Sequence, residues 1–155
     1  MRRLALSLTM ITLAACGSGL QSGVHSVPGQ GAIAVQVDPN PIRATHVSGE
    51  TYDFPFEVIV RETGGRPVNV TRVGVTVKGF GGLTYANESW DAERIRSMGY
   101  STSLRANGEL RYRFAPRKQV PDERLFGGVT AQLTVDAIDD GSSPTSASTA
   151  VTVTR

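Results

Sequence analysis

Few side chains in this sequence have the types and spacing that catalysis requires. The chain has one cysteine and two histidines, whereas a hydrolytic triad needs a nucleophile, a base and a group that orients the base. His46 lies beside Thr45, and the chain has no Gly-x-Ser-x-Gly, His-x-x-x-His or Cys-x-x-Cys segment. Neither a P-loop nor a dinucleotide-binding glycine motif is present. The sequence therefore predicts that the protein is not an enzyme and has no bound cofactor.

Three carboxylates lie close together near the C-terminus. Asp136, Asp139 and Asp140 are followed by Gly141, and hard oxygen ligands at close spacing can hold calcium. Their spacing differs from that of an EF-hand loop, and Asp-Gly pairs are typical of ordinary turns. A turn is therefore the favoured interpretation, with a calcium site as the alternative.

Three aromatic residues occur in a segment without strand periodicity, residues 79–99. Phe80, Tyr85 and Trp90 lie among three glycines, and Ser89 is expected to cap a short helix that ends at Gly99. Aromatic residues dominate binding hot spots, and loops at the ends of a sandwich often carry function. We predict a partner-binding loop here; the alternative is that the rings fill the core.

The single cysteine follows an apolar leader. Residues 1–3 carry two arginines, and residues 4–15 are apolar or small and uncharged. Such a run is long enough for the core of a signal peptide and too short to span a bilayer as a helix. Residues 1–15 are therefore predicted to be an export signal that ends at Ala15 and Cys16.

The Leu-Ala-Ala-Cys sequence at residues 13–16 resembles the lipobox of bacterial lipoproteins. The resemblance implies that the Cys16 thiol receives a diacylglyceryl group, that cleavage occurs between Ala15 and Cys16, and that the new amino terminus is acylated, with palmitate-type chains. Two or three acyl chains hold a protein firmly at a membrane. The alternative is a secreted protein with an unmodified cysteine. Gly17 follows Cys16 in place of the aspartate that signals inner-membrane retention in some lineages, which favours the outer membrane.

Residues 16–30 are rich in glycine and serine and predict a flexible tether between the lipid and one domain, residues 31–155. Removal of Arg2 and Arg3 with the leader lowers the Lys+Arg count from 16 to 14, which equals the 14 Asp+Glu. A neutral domain has no field that would attract nucleic acid, so we expect no nucleic-acid partner.

Apolar residues alternate with polar ones through most of residues 31–155, which predicts half-buried strands. The clearest stripes are Tyr52, Phe54, Phe56, Val58 and Val60; Leu110, Tyr112 and Phe114; and Val129, Ala131, Leu133, Val135 and Ala137. The apolar parity changes between Val70 and Val73, which predicts a bulge near Thr71 and Arg72. Pro55 interrupts the first stripe and predicts an edge position or a bulge.

About seven strands with one short helix in a loop predict an all-β protein, an antiparallel β-sandwich. The last hairpin, an Asp/Gly/Ser turn and a Val-Thr-Val ending, resembles those of bacterial immunoglobulin-like and fibronectin type III-like domains. The cysteine pair of antibody domains is absent.

Together these features predict a lipid-anchored cell-envelope protein that faces the periplasm or the cell surface. We expect a non-catalytic binding, adhesive or scaffold module with a protein or glycan partner in the envelope. The alternative is an envelope-assembly or chaperone accessory that pairs with its clients through a strand edge.

Overall fold

The structure is a computed structural model that describes residues 29–155. Short 3₁₀ helices occupy Phe80–Gly82 and Glu123–Gly127. The other elements, in chain order, are β1 (Ile33–Asp38), β2 (Ile42–Arg43), β3 (Thr45–Ser48), β4 (Thr51–Asp53), β5 (Phe56–Glu62), β6 (Val68–Lys78), β7 (Thr84–Asp91), α1 (Ala92–Ser97), β8 (Ser103–Leu104), β9 (Glu109–Phe114), β10 (Arg117–Gln119), β11 (Thr130–Asp139) and β12 (Pro144–Thr154).

Seven longer strands form two facing sheets. The first sheet has the order β1-β5-β9, and the second has the order β2-β12-β11-β6-β7, with β8 added beside β6. Among these seven strands, the first, second and fifth along the chain (β1, β5 and β9) lie in one sheet. The third, sixth and seventh (β6, β11 and β12) lie in the other. Immunoglobulin-like domains divide strands A, B, E and C, F, G in this way. The fourth strand, β7, joins the sheet of the third. The predicted immunoglobulin-like β-sandwich is therefore confirmed.

The core lies between the two sheets and is built from the predicted stripes. On β11 the side chains of Leu133 and Val135 are buried, whereas Gln132 between Ala131 and Leu133 is exposed. The predicted bulge is also confirmed, because β11 residues Asp136 and Ala137 pair with Arg72 and Val70 and leave Thr71 as the extra residue.

The structure corrects the prediction for Pro55. The stripe at residues 52–60 is two strands, β4 and β5, and Pro55 lies in the gap between them. β5 is the central strand of the first sheet, while β4 belongs to a separate small sheet of order β10-β4-β3. A residue without an N–H fits this gap because neither ladder needs a donor there. The small sheet covers one end of the sandwich.

The segment at residues 79–99 also differs from its prediction. It contains an edge strand, β7, which pairs with β6 along its length. The helix α1 begins later than predicted, and its cap is Asp91 rather than Ser89: the Arg94 N–H donates to Asp91 Oδ1 at 2.8 Å. An aspartate at this position satisfies a backbone donor that the helix itself leaves free.

The chain enters the domain at the end of the sandwich where β11 stops. Gly31 N–H donates to Asp139 Oδ2 at 3.1 Å, and the carbonyl of Gly29 accepts from Arg66 at 2.8 Å. We call this end the tether pole. The ten residues of β11 carry the chain from the opposite pole, a distance of about 30 Å at the usual rise of a strand.

A candidate binding cavity

An apolar cavity of about 340 Å³ lies at the pole opposite the tether pole, between the second sheet and the small sheet. Binding pockets for small molecules begin at about 300 Å³, so the volume is within the usual range. The lining residues are Ile42, Phe54, Phe56, Val75, Val77, Tyr85, Ala86, Glu88, Trp90, Pro116, Lys118, Gln119, Val120, Pro121, Leu125, Phe126, Val129 and Val153. All but a few of these side chains are hydrocarbon.

One wall of the cavity comes from alternate residues of two paired strands. Val75 and Val77 of β6 lie opposite Glu88 and Ala86 of β7 in the ladder. Alternate residues of a strand point to the same face, so this parity directs all four side chains toward the cavity. The bulge at Thr71 sets this parity, because it changes which β6 residues face inward.

The opposite wall is held in place by Tyr52 of β4. Its hydroxyl donates to Glu123 Oε1 at 2.8 Å, and its ring meets that of Phe126 edge-on with the centroids 5.2 Å apart. These contacts fix the second 3₁₀ helix, which contributes Leu125 and Phe126 to the lining. The backbone N–H of Val120 donates to the carbonyl of Glu50 at 2.8 Å and ties the same loop to the small sheet.

Trp90 is part of the cavity floor and not an exposed contact residue. Its side chain is 4% exposed and stacks on Phe114 with the ring centroids 4.1 Å apart. Phe56 meets the indole edge-on at 6.5 Å. Trp90 does not lie in the loop that the sequence predicted: β7 continues through it, and its alternation points the ring inward.

Tyr85 is on the rim of the cavity and is 51% exposed. It is the extra residue of a bulge, since Val77 pairs with Ala86 and Lys78 with Thr84. A Cβ atom on Gly79 would lie 1.7 Å from Tyr85 Cε2, so only glycine leaves room for this ring. Tyr85 keeps the exposure that a contact residue needs. The side chain of Phe80, the third predicted contact, lies outside what the structure describes.

Two charged residues line the mouth, and they pair with each other. Lys118 Nζ on β10 donates to Glu88 Oε2 on β7, so the ion pair joins the small sheet to the edge of the second sheet. In residues 29–155, every buried side-chain nitrogen and oxygen atom has a hydrogen-bond partner. The lining of the cavity itself is mostly hydrocarbon, which suits apolar groups.

The predicted calcium residues do not form one site. Asp136 pairs with Arg72 at 2.8 Å, and Asp140 pairs with Arg66 at 2.6 Å. The described part of the chain holds no group of three or more acidic, histidine or cysteine side chains placed to bind a metal ion. The turn interpretation agrees with these contacts.

Asp139 has a structural role at the tether pole. Its carboxylate accepts N–H donors from Gly31 at 3.1 Å, Gly141 at 2.9 Å and Ser143 at 2.8 Å. The hydrogen bonds from the backbone of Gly31 and Ser143 hold the pKa of Asp139 below its ordinary value. The aspartate thus fastens the entering chain to the β11–β12 turn.

Glu62 performs a similar task and was missed in the sequence. It is 3% exposed, and its carboxylate accepts backbone N–H groups from Gly64 at 2.6 Å, Gly65 at 3.0 Å, Asn107 at 2.8 Å and Ala32 at 3.4 Å. Burial opposes its ionisation, but the donors, led by Asn107, outweigh burial and hold the pKa of Glu62 below its ordinary value. One signal was available: Glu62 has the inward parity of β5.

The predicted signal peptide, its cleavage site at Ala15 and Cys16, and the lipidation of Cys16 lie outside the described residues. Most of the predicted tether, residues 16–28, lies outside them as well. Within residues 29–155, no helix has the length and apolar character needed to cross a bilayer.

Neither a protein-family profile nor a curated protein matches this sequence. Solved structures do share its fold. A structural-genomics protein designated SoR45 is similar with a TM-score of 0.58 and 11% identity, covering 79% of this chain and 86% of that one. The C-terminal domain of wzt has a TM-score of 0.45, 13% identity and coverages of 88% and 87%. A CARDB domain from Pyrococcus furiosus has a TM-score of 0.38 and 18% identity, and the alignment covers 81% of this chain and 96% of that domain. At 11% identity the likeness to SoR45 concerns the fold alone.

Proposed function

We propose that this protein is exported, anchored to the cell envelope by lipid on Cys16, and acts there as a non-catalytic binding module. The observation that carries the proposal is the apolar cavity of about 340 Å³ with its half-exposed rim residue Tyr85. An apolar pocket that is open to solvent gains free energy when a partner buries it. A site that receives a partner therefore accounts for this surface.

The position of the cavity supports the same proposal. The chain enters at the tether pole, about 25 Å along the strands from the cavity at the usual strand rise. With lipid on Cys16, the anchor would be joined to the domain at the tether pole, opposite the cavity. The cavity pole is thereby left free for a partner in the envelope, a protein or a glycan-linked molecule with an apolar part.

The alternative function, strand-edge pairing with clients, would use an edge strand such as β7. This strand is at the edge of the second sheet, but the bulge at Tyr85 interrupts its ladder and Glu88 places a charge on it. Bulges and charges are the means by which natural sheets prevent edge-to-edge pairing. These features favour the cavity over the edge as the binding surface.

Capture from intact envelopes with matched variants tests the binding function. Val77→Phe places a ring in the cavity, whereas Thr76→Phe places the same ring on the outer face of β6, where Thr76 Oγ1 donates to the exposed Asn87. We expect a component that cross-links to the wild type and to Thr76→Phe and is lost with Val77→Phe. Identical capture by all three proteins would exclude the cavity as the binding site.

The anchor is tested separately with Cys16→Ser. We expect this variant to take up no labelled palmitate and to leave the membrane fraction, while the wild type does both. Labelled fatty acid in the Cys16→Ser protein would contradict lipidation at this residue.

A further inference from the structure

We infer that the cavity holds a single acyl chain of roughly a dozen carbon atoms. This inference rests on the proposed binding function and narrows its ligand to one chemical class. Four observations lead to it: the chemistry of the lining, the length of the cavity, its volume and the position of its charges.

The lining requires an apolar ligand. Apart from the ion-paired Glu88 and Lys118 and the amide of Gln119, the lining side chains are aliphatic, aromatic or proline. A polar group placed against this hydrocarbon would lose its hydrogen bonds to water with little replacement, which is unfavourable. A hydrocarbon group has no hydrogen bonds to lose there, and its transfer out of water is favourable.

The length of the cavity favours a chain over a compact ring system. Its lining extends from Val153 on β12 to Ala86 on β7, and β11 and β6 lie between these strands. Three strand spacings of about 4.8 Å give a length of about 14 Å. A volume of about 340 Å³ distributed over that length describes an elongated space, which suits an extended hydrocarbon chain better than a compact ring system.

The volume sets the size of the ligand. An apolar cavity of about 150 Å³ accommodates benzene, which has six carbon atoms. By that scale about 340 Å³ accommodates roughly a dozen carbon atoms. The Glu88–Lys118 pair at the mouth places positive and negative charge where the polar end of an amphiphile would emerge. A free fatty acid and the chain of a membrane lipid share this chemistry.

The protein carries its own reporter for this test. Trp90 is the only tryptophan and lines the cavity, so a heavy atom on a bound chain should quench its fluorescence. The assay uses residues 16–155 with Cys16→Ser, without detergent, and 12-bromododecanoate as the probe. We expect saturable quenching at one chain per protein, with at least tenfold weaker affinity in Val77→Phe and unchanged affinity in Thr76→Phe. Equal quenching in Val77→Phe would overturn the inference, as would absence of quenching both by this probe and by the brominated lipid vesicles described below.

A series of chain lengths separates a bounded cavity from adsorption to the surface. Burial of each methylene is worth about fourfold in affinity. The affinity should therefore rise from octanoate to dodecanoate and level off by hexadecanoate. A continued rise to hexadecanoate, or tighter binding of 1-naphthoate than of dodecanoate, would overturn the acyl chain as the ligand.

A second arm identifies the source of the chain. Quenching by vesicles of brominated phosphatidylglycerol, without quenching by the free acid, would show that the chain is drawn from a bilayer; the reverse would show a free fatty acid. Quenching by neither would overturn the acyl inference. The proposed binding function would still stand if envelope capture depends on Val77, and it would fail if that dependence is also absent.

Discussion

Replacement of Trp90 with alanine should destabilise the domain severely, because the indole is the floor of the cavity and a member of the core. Its side chain is 4% exposed and stacks on Phe114 at 4.1 Å. Truncation of a buried tryptophan costs about 3–5 kcal/mol, which includes the void it leaves. Here the void would merge with a space of about 340 Å³ that already exists, so collapse around it cannot recover much. We expect a loss near the upper end of that range.

Urea denaturation followed by far-ultraviolet circular dichroism measures this loss without relying on tryptophan fluorescence. Typical domains have unfolding free energies of about 5–15 kcal/mol, so the variant should unfold at a clearly lower urea concentration or fail to fold. Trp90→Phe, which retains a ring against Phe114, should recover a large part of the stability. Tyr85→Ala removes a ring that is 51% exposed and should cost about 1 kcal/mol or less. A loss below about 1 kcal/mol for Trp90→Ala would refute the placement of this ring in the core.

Three further predictions concern the core and the tether pole. Val135→Asp buries an unpaired carboxylate at a side chain with no exposure and should prevent folding, while Thr134→Asp on the other face is tolerated; equal melting temperatures would refute the strand parity. Glu62→Gln replaces an acceptor oxygen facing backbone N–H groups and should cost about 1–3 kcal/mol, measured by urea denaturation; an unchanged midpoint would show that these bonds contribute nothing. Because the pKa of Glu62 and of Asp139 is lowered by folding, their stabilisation is complete above the ordinary pKa of about 4 and is lost as the pH falls below it. Melting temperatures should fall between pH 6 and pH 3, and the fall should be smaller in Glu62→Gln than in the wild type. An equal fall in both proteins would contradict the role given to the Glu62 carboxylate.

The fold could be predicted from the sequence where burial decides the residue type. On β11 the inward positions from Ala131 to Ala137, such as Leu133 and Val135, are apolar, and the outward positions are mostly polar. The bulge at Thr71 was visible for the same reason, because a bulge reverses the parity of the apolar residues on either side of it. A strand that lies between two others and packs one face on the core shows a clear alternation of apolar and polar residues.

The edge strand β7 could not be recognised in the same way. Only Trp90 among its residues is buried, and its inward positions also include the charged Glu88, so the alternation is weak. The glycines before it predict a loop, and Ser89 within it predicts the start of a helix. An edge strand packs against fewer neighbours, which leaves its sequence less constrained.

The cavity was beyond sequence analysis because its walls come from many separate segments of the chain. One partial sign was present: Val120, Leu125 and Phe126 are apolar residues in a stretch that carried no strand prediction. Apolar residues in a loop must cover something, but their sequence does not indicate what. The buried ring of donors around Glu62 was hidden for the same reason, since Ala32 and Asn107 are distant in sequence.

Site-specific photo-cross-linking in intact envelopes tests most directly whether the cavity pole is the binding surface. The full chain would carry a photoreactive amino acid at Gln119, which is exposed at the mouth, or at Ser142, which is exposed in the turn of the tether pole. We expect a discrete adduct from position 119 that disappears when Val77→Phe is added, and none of the same mass from position 142. The same adduct from both positions, or an adduct from position 119 that persists with the cavity filled, would contradict binding at the cavity.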